Sequence, residues 1–118
     1  MYSSEVVQKI ENEMKRADMA RAQGNEGLAR VCARRAAGTA IRAYLAARQI
    51  DHPATNAFEL ILFLRDMPGI PPELRSIAGS LSTRVTEEFT LPLEADLLAE
   101  TRVLITTLES LDLPGQSG

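Results

Sequence analysis

Five arginines stand in one stretch of this chain, between Asn25 and Ile50: Arg30, Arg34, Arg35, Arg42 and Arg48. No Asp or Glu lies between Glu26 and Asp51. Guanidiniums at that density are suited to an anionic surface: a nucleotide, RNA or an acidic protein. The plainer reading is a solvated helix face whose arginines pair with acids on neighbouring helices, such as Glu13, Glu94 or Glu100. Aromatic residues interleaved for base stacking are missing, which weakens the RNA version. The other candidates for chemistry are single residues. His52, the only histidine, precedes Pro53 in a loop and reads as a solvated residue or cap rather than a base. Cys32, the only cysteine, sits among alanines and reads as a small buried hydrophobe. Tyr44 reads as a core residue with a hydrogen-bonded hydroxyl. Glu87 and Glu88 are adjacent, so on a helix they point about 100° apart and cannot face each other as an acid–base pair. One histidine and one cysteine give no metal-ligand spacing, and no glycine-rich phosphate loop is present. Neither a metal nor a cofactor is expected.

The elements that must position these residues follow from capping and periodicity. Asn25 is a good N-cap with Glu26 in the first turn, and His52-Pro53 is expected to close the far end of a long helix. On it Cys32, Ala33, Ala36, Ala40, Ala43 and Ala47 cluster, and Ile41, Tyr44 and Leu45 widen the apolar arc to roughly 200°. Such a helix is expected to be touched on two or three sides. Arg35 and Arg42 fall outside the arc, and Arg30, Arg34 and Arg48 fall near its edge. Before it, Ser3 or Ser4 caps a first helix striped by Val6, Ile10, Met14 and Ala17, which Gly24 ends. So short a turn makes the first two helices antiparallel neighbours. After it, Asn56 with Glu59 resembles a capping box for a short helix to Asp66, and Leu60 to Leu64 is apolar all round. Pro71 or Pro72 opens a fourth helix striped by Leu74, Ile77, Ala78, Leu81 and Val85, which Phe89 finishes. A fifth carries Leu93, Leu97, Leu98, Leu104, Ile105, Leu108 and Leu111, and residues from about 112 to 118 read as a frayed tail. The expected fold is an all-α antiparallel four- or five-helix bundle, one domain over 1–118.

Composition bounds the rest. A chain of 12.9 kDa buries about two-thirds of its unfolded surface, enough for a core without metal or disulfide. The formal net charge of −3 argues against a general nucleic-acid binder, though not against a local basic face. The longest apolar run, Phe58 to Leu64, is far short of the ~20 residues a membrane span needs. No signal peptide is seen, so the expectation is a cytoplasmic protein with no membrane partner.

The stretch from Ala20 to Leu45, ARAQGNEGLARVCARRAAGTAIRAYL, resembles the second-helix region of HEPN domains. Gly38 stands where that family usually has glutamate, and Arg42 where it has lysine. NAFELILFL is similar to the family's short helix that begins His-Asp-Leu, with Phe58-Glu59-Leu60 in register. IPPEL, with the leucine-striped helix after it, resembles the fourth helix and its lead-in. The resemblance implies a five-helix bundle that dimerises. It also implies a place beside a small nucleotidyltransferase in a toxin–antitoxin pair. Many members are ribonucleases, with an arginine followed four to six residues on by a histidine. Here Arg84 lies near the expected place, but Phe89 occupies the nearest spacing for the histidine. Arg-Tyr-Pro, another family signature, is reduced to Thr90-Leu91-Pro92. The expectation is therefore a non-catalytic, dimerising binding module. Its expected partners are a second copy of itself, a nucleotidyltransferase-type protein, or a nucleotide or RNA on the arginine face. The competing readings are a cryptic ribonuclease using Arg84 and a plain scaffold module.

Overall fold

A computed structural model describes residues 2–83 and 96–111. Those residues form five helices and no strand: α1 (Ser4–Ala22), α2 (Glu26–Ala47), α3 (Ala57–Asp66), α4 (Pro72–Ser82) and α5 (Leu97–Leu111). The all-α expectation holds. Val85, Phe89 and Leu93, assigned above to the fourth and fifth helices, lie outside the described residues. Among those that are described, α4 already ends at Ser82, with Thr83 extended.

The local chemistry is visible at each helix start. Ser3 Oγ accepts from the Val6 amide at 3.2 Å, and Asn25 Oδ1 from the Leu28 amide at 3.0 Å. Asn56 Oδ1 accepts from the Glu59 amide at 2.9 Å. Glu59 returns the bond one residue earlier than a capping box does. Its Oε1 accepts from both the amide and the hydroxyl of Thr55, at 2.8 Å each.

The helix ends show one correction. α1 closes at Gly24, whose φ is 78°, with the Asn25 amide bonded to Ala20 O at 2.8 Å. α2 closes with the same motif at Gln49, φ 56°, with the Ile50 amide on Leu45 O at 2.9 Å. Its end is therefore set at Ala47 by a left-handed glutamine, and His52-Pro53 falls in the following loop.

α2 is the centre. It packs against α1 along its length, and also against α5 and α3; α4 fills the space between α3 and α5. Ala29, Cys32, Ala33, Ala36, Ala37, Gly38, Ala40, Ile41, Tyr44 and Leu45 are buried on it. Ala47 is exposed and Ala43 half-buried, so the apolar arc sits slightly off the expected one. Gly38 marks the closest approach of two helices. A Cβ built there would lie 2.7 Å from Ala57 Cβ and 2.9 Å from Ala57 Cα, nearer than real carbons come. In α3, Leu60, Ile61 and Leu64 are buried while Leu62 and Phe63 are half-buried, so this helix is not enclosed on every side.

Candidate anion-binding groove

Two stripes of equal spacing face each other across the α1/α2 hairpin. On α1 they are Lys9, Asn12, Glu13 and Arg16, with Lys15 alongside; on α2 they are Arg35, Gly38, Thr39 and Arg42. Each stripe runs i, i+3, i+4, i+7, which puts its members on one face of a helix. Together with Ala57 and Leu60 from the start of α3 they line a groove of about 790 Å³. Among the described residues, five cations meet one carboxylate there.

The lone carboxylate is already engaged. Glu13 Oε1 accepts from Arg16 Nη1 at 3.4 Å. Its Oε2 is buried and has no hydrogen-bond partner among the described residues. Glu13 also lies against Cys32, whose thiol is raised by burial first and by that carboxylate second; Arg16 and Arg35 oppose the shift. A raised thiol is protonated at neutral pH and a poor nucleophile, in line with Cys32 as a buried hydrophobe. Arg35, Arg42, Lys9 and Lys15 form no ion pair among the described residues. Lys9, Lys15, Arg35 and Arg42 are all exposed to solvent.

The five arginines of the central stretch divide by role. Arg34 donates from Nε to Leu81 O at 2.7 Å and from Nη2 to Thr83 O at 3.0 Å, satisfying carbonyls at the end of α4. Arg48 lies over the Tyr44 ring, 4.8 Å from its centroid, and donates to Leu111 O at 2.8 Å at the end of α5. Arg30 is half-buried, and its Nε donates no hydrogen bond among the described residues. Only Arg35 and Arg42 line the groove. Arg84 lies outside the described residues, as does Glu94.

Three expectations need correcting. Among the described residues the α2 arginines do not pair with Glu13 or Glu100, while Glu94, the third acid named, lies outside them: Glu13 takes Arg16, and Glu100 is raised by burial and by the nearby Asp96 charge. His52 is not a solvated loop residue. It is half-buried, its ring is 5.9 Å from that of Phe63, and its Nδ1 is buried without a partner among the described residues. Tyr44 is buried as expected, but the described residues offer its hydroxyl no hydrogen bond; the guanidinium of Arg48 covers its ring instead.

The sequence reading missed the α1 half of the groove. Lys9, Lys15 and Arg16 are scattered among acids in the chain, and only the shared i, i+3, i+4, i+7 spacing marks Lys9 and Arg16 as partners of Arg35 and Arg42. No three His, Cys, Asp or Glu side chains among the described residues come together in a metal-binding group. No described helix is long and apolar enough to cross a membrane. Compared with protein-family models, with curated proteins and with solved structures, the chain matches none.

Proposed function

We propose that this protein works by binding, and that the α1/α2 groove is where it holds an anionic partner. The observation that carries this is the charge imbalance among the described residues: five cations against one carboxylate, on a chain whose net charge is −3. Dispersed surface charge would not concentrate cations in this way; a groove of one sign raises the local concentration of opposite charge. The HEPN resemblance supplies the kind of company: a second copy of the chain, a small nucleotidyltransferase, or a nucleotide or RNA. It also offers a ribonuclease, but the signature histidine is missing from the sequence. The one imidazole, His52, packs beside Phe63 instead of lining the groove.

Anisotropy with labelled polyphosphate tests this reading. The native chain is expected to bind, with affinity falling steeply as salt rises. Arg35→Glu with Arg42→Glu is expected to lose about tenfold or more, since each removed contact is worth on the order of 1 kcal/mol. Polyphosphate binding that is absent, or indifferent to both substitutions, would falsify the groove as an anion site.

A further inference from the structure

We infer that the occupant of the α1/α2 groove is an acidic, amphipathic helix of a partner protein. This rests on the reading of the groove as an anion site and goes further, to the shape and chemistry of what fills it.

The cations repeat at a helix's own spacing. Lys9 and Arg16 are separated by seven residues on α1, as are Arg35 and Arg42 on α2. Seven helical residues rise ~10.5 Å. Carboxylates at i and i+7 of a helix laid along the groove repeat at the same interval, so the two rows meet in register.

Beyond the Arg16 and Arg35 end of the groove, outside its lining, lie three exposed apolar residues. Val31 and Leu28 lie one and two turns before Arg35 on the same face of α2. Met19 lies one turn beyond Arg16 on α1. α1 and α2 form a hairpin, so these three residues share the end nearest the Gly24 turn. All three are exposed: Met19 62 %, Leu28 39 % and Val31 38 %. Clustered exposed apolar side chains beside a charged groove mark a contact surface. A nucleic-acid strand gains little from that end, and among the described residues no aromatic side chain lines the groove to stack a base. A helix with acids on its first turns and leucines continuing the same face satisfies both ends at once, in the helix-in-groove mode.

The test uses the full chain and a labelled helical peptide of about 18 residues, glutamates on its first two turns and leucines on the same face beyond them. Anisotropy is expected to show binding that weakens about tenfold in Arg35→Glu with Arg42→Glu, and about as much in Met19→Ser with Val31→Ser. A scrambled peptide of equal composition is expected to bind far less. Circular dichroism checks that each variant keeps its helices. Peptide binding that ignores Met19 and Val31, or matches the scrambled control, overturns the proposal. So does an RNA oligonucleotide or polyphosphate that binds through Arg35 and Arg42 where the peptide does not; that result leaves the anion site standing. If no anion binds through those arginines, both readings fall. A dimer broken by Arg35→Glu with Arg42→Glu would name a second copy as the occupant and overturn the partner-protein assignment.

Discussion

Gly38 shows how one residue can be legible by type and not by partner. An isolated glycine inside a helix costs about 1 kcal/mol relative to alanine, so it needs a packing reason. What it packs against depended on the fold: the Cα and Cβ of Ala57, at the first turn of α3. Any side chain at this position would meet α3 backbone. Gly38→Ala is therefore expected to destabilise the protein by about 1–2 kcal/mol. Overpacking costs more than the helix propensity returns. Urea unfolding would measure it, and a variant as stable as the parent would mean that α3 moves aside freely. Gln49 is the converse. Nothing about a glutamine announces a left-handed backbone, so the end of α2 was placed at the proline that the sequence does announce.

At the scale of the elements, helix starts were readable because caps are local. Helix ends and interhelical clamps were not. Arg21, in the last turn of α1, donates to Asp96 at 2.6 Å and to Glu26 at 2.9 Å. Asp96 in turn accepts from the amides of Leu98 and Ala99, so a single arginine joins the end of α1 to the starts of α2 and α5. The Arg21 bond, then the Ala99 amide, hold Asp96 below its usual 3.8. A carboxylate lowered on folding binds fewer protons folded than unfolded. Its contribution is present above about pH 4 and is lost as pH falls through the lowered value. Glu100 has the opposite sign. Burial raises it above 4.5, so its contribution declines as pH rises through that raised value. Asp96→Asn keeps a capping oxygen and removes the charge. It is expected to cost at most about 1 kcal/mol at pH 7, since the pair is half exposed, and the cost is expected to shrink by pH 3. Glu100→Gln is expected to gain stability at pH 7 and to lose that gain near pH 4. Parallel urea titrations at the two pH values check both, and a cost for Asp96→Asn that grows in acid would refute the clamp.

For the whole molecule, the expectation of a wide apolar helix contacted on several sides was right, and it changes the case for a dimer. The surplus surface of α2 is covered within the chain by α1, α3 and α5, and does not call for a second copy. Among the described residues, the large hydrophobics that remain exposed are Val7, Met19, Leu28, Val31 and Val103. A homodimer stays a proposal, and light scattering after size exclusion decides it: a mass near 12.9 kDa sinks it, and twice that supports it.

The groove between α1 and α2 has a thermodynamic side as well. Like charges brought together by folding repel, so the native state is under electrostatic tension whenever the groove is empty. If the groove binds as proposed, the residues that grip a partner would then also be the ones that weaken the fold without it. Arg42→Gln is expected to raise the melting temperature in a dilute monovalent buffer by a degree or two, roughly 0.5 kcal/mol for a domain of this size. Added polyphosphate is expected to raise the native chain's melting temperature more than the variant's, because a ligand stabilises only the state that binds it. Scanning fluorimetry with and without the polyanion separates the two, and a native chain that melts no lower than Arg42→Gln would mean the cations are too well hydrated to strain the hairpin. Evolution would keep such a hairpin slightly unstable on purpose only where the missing charge arrives from outside.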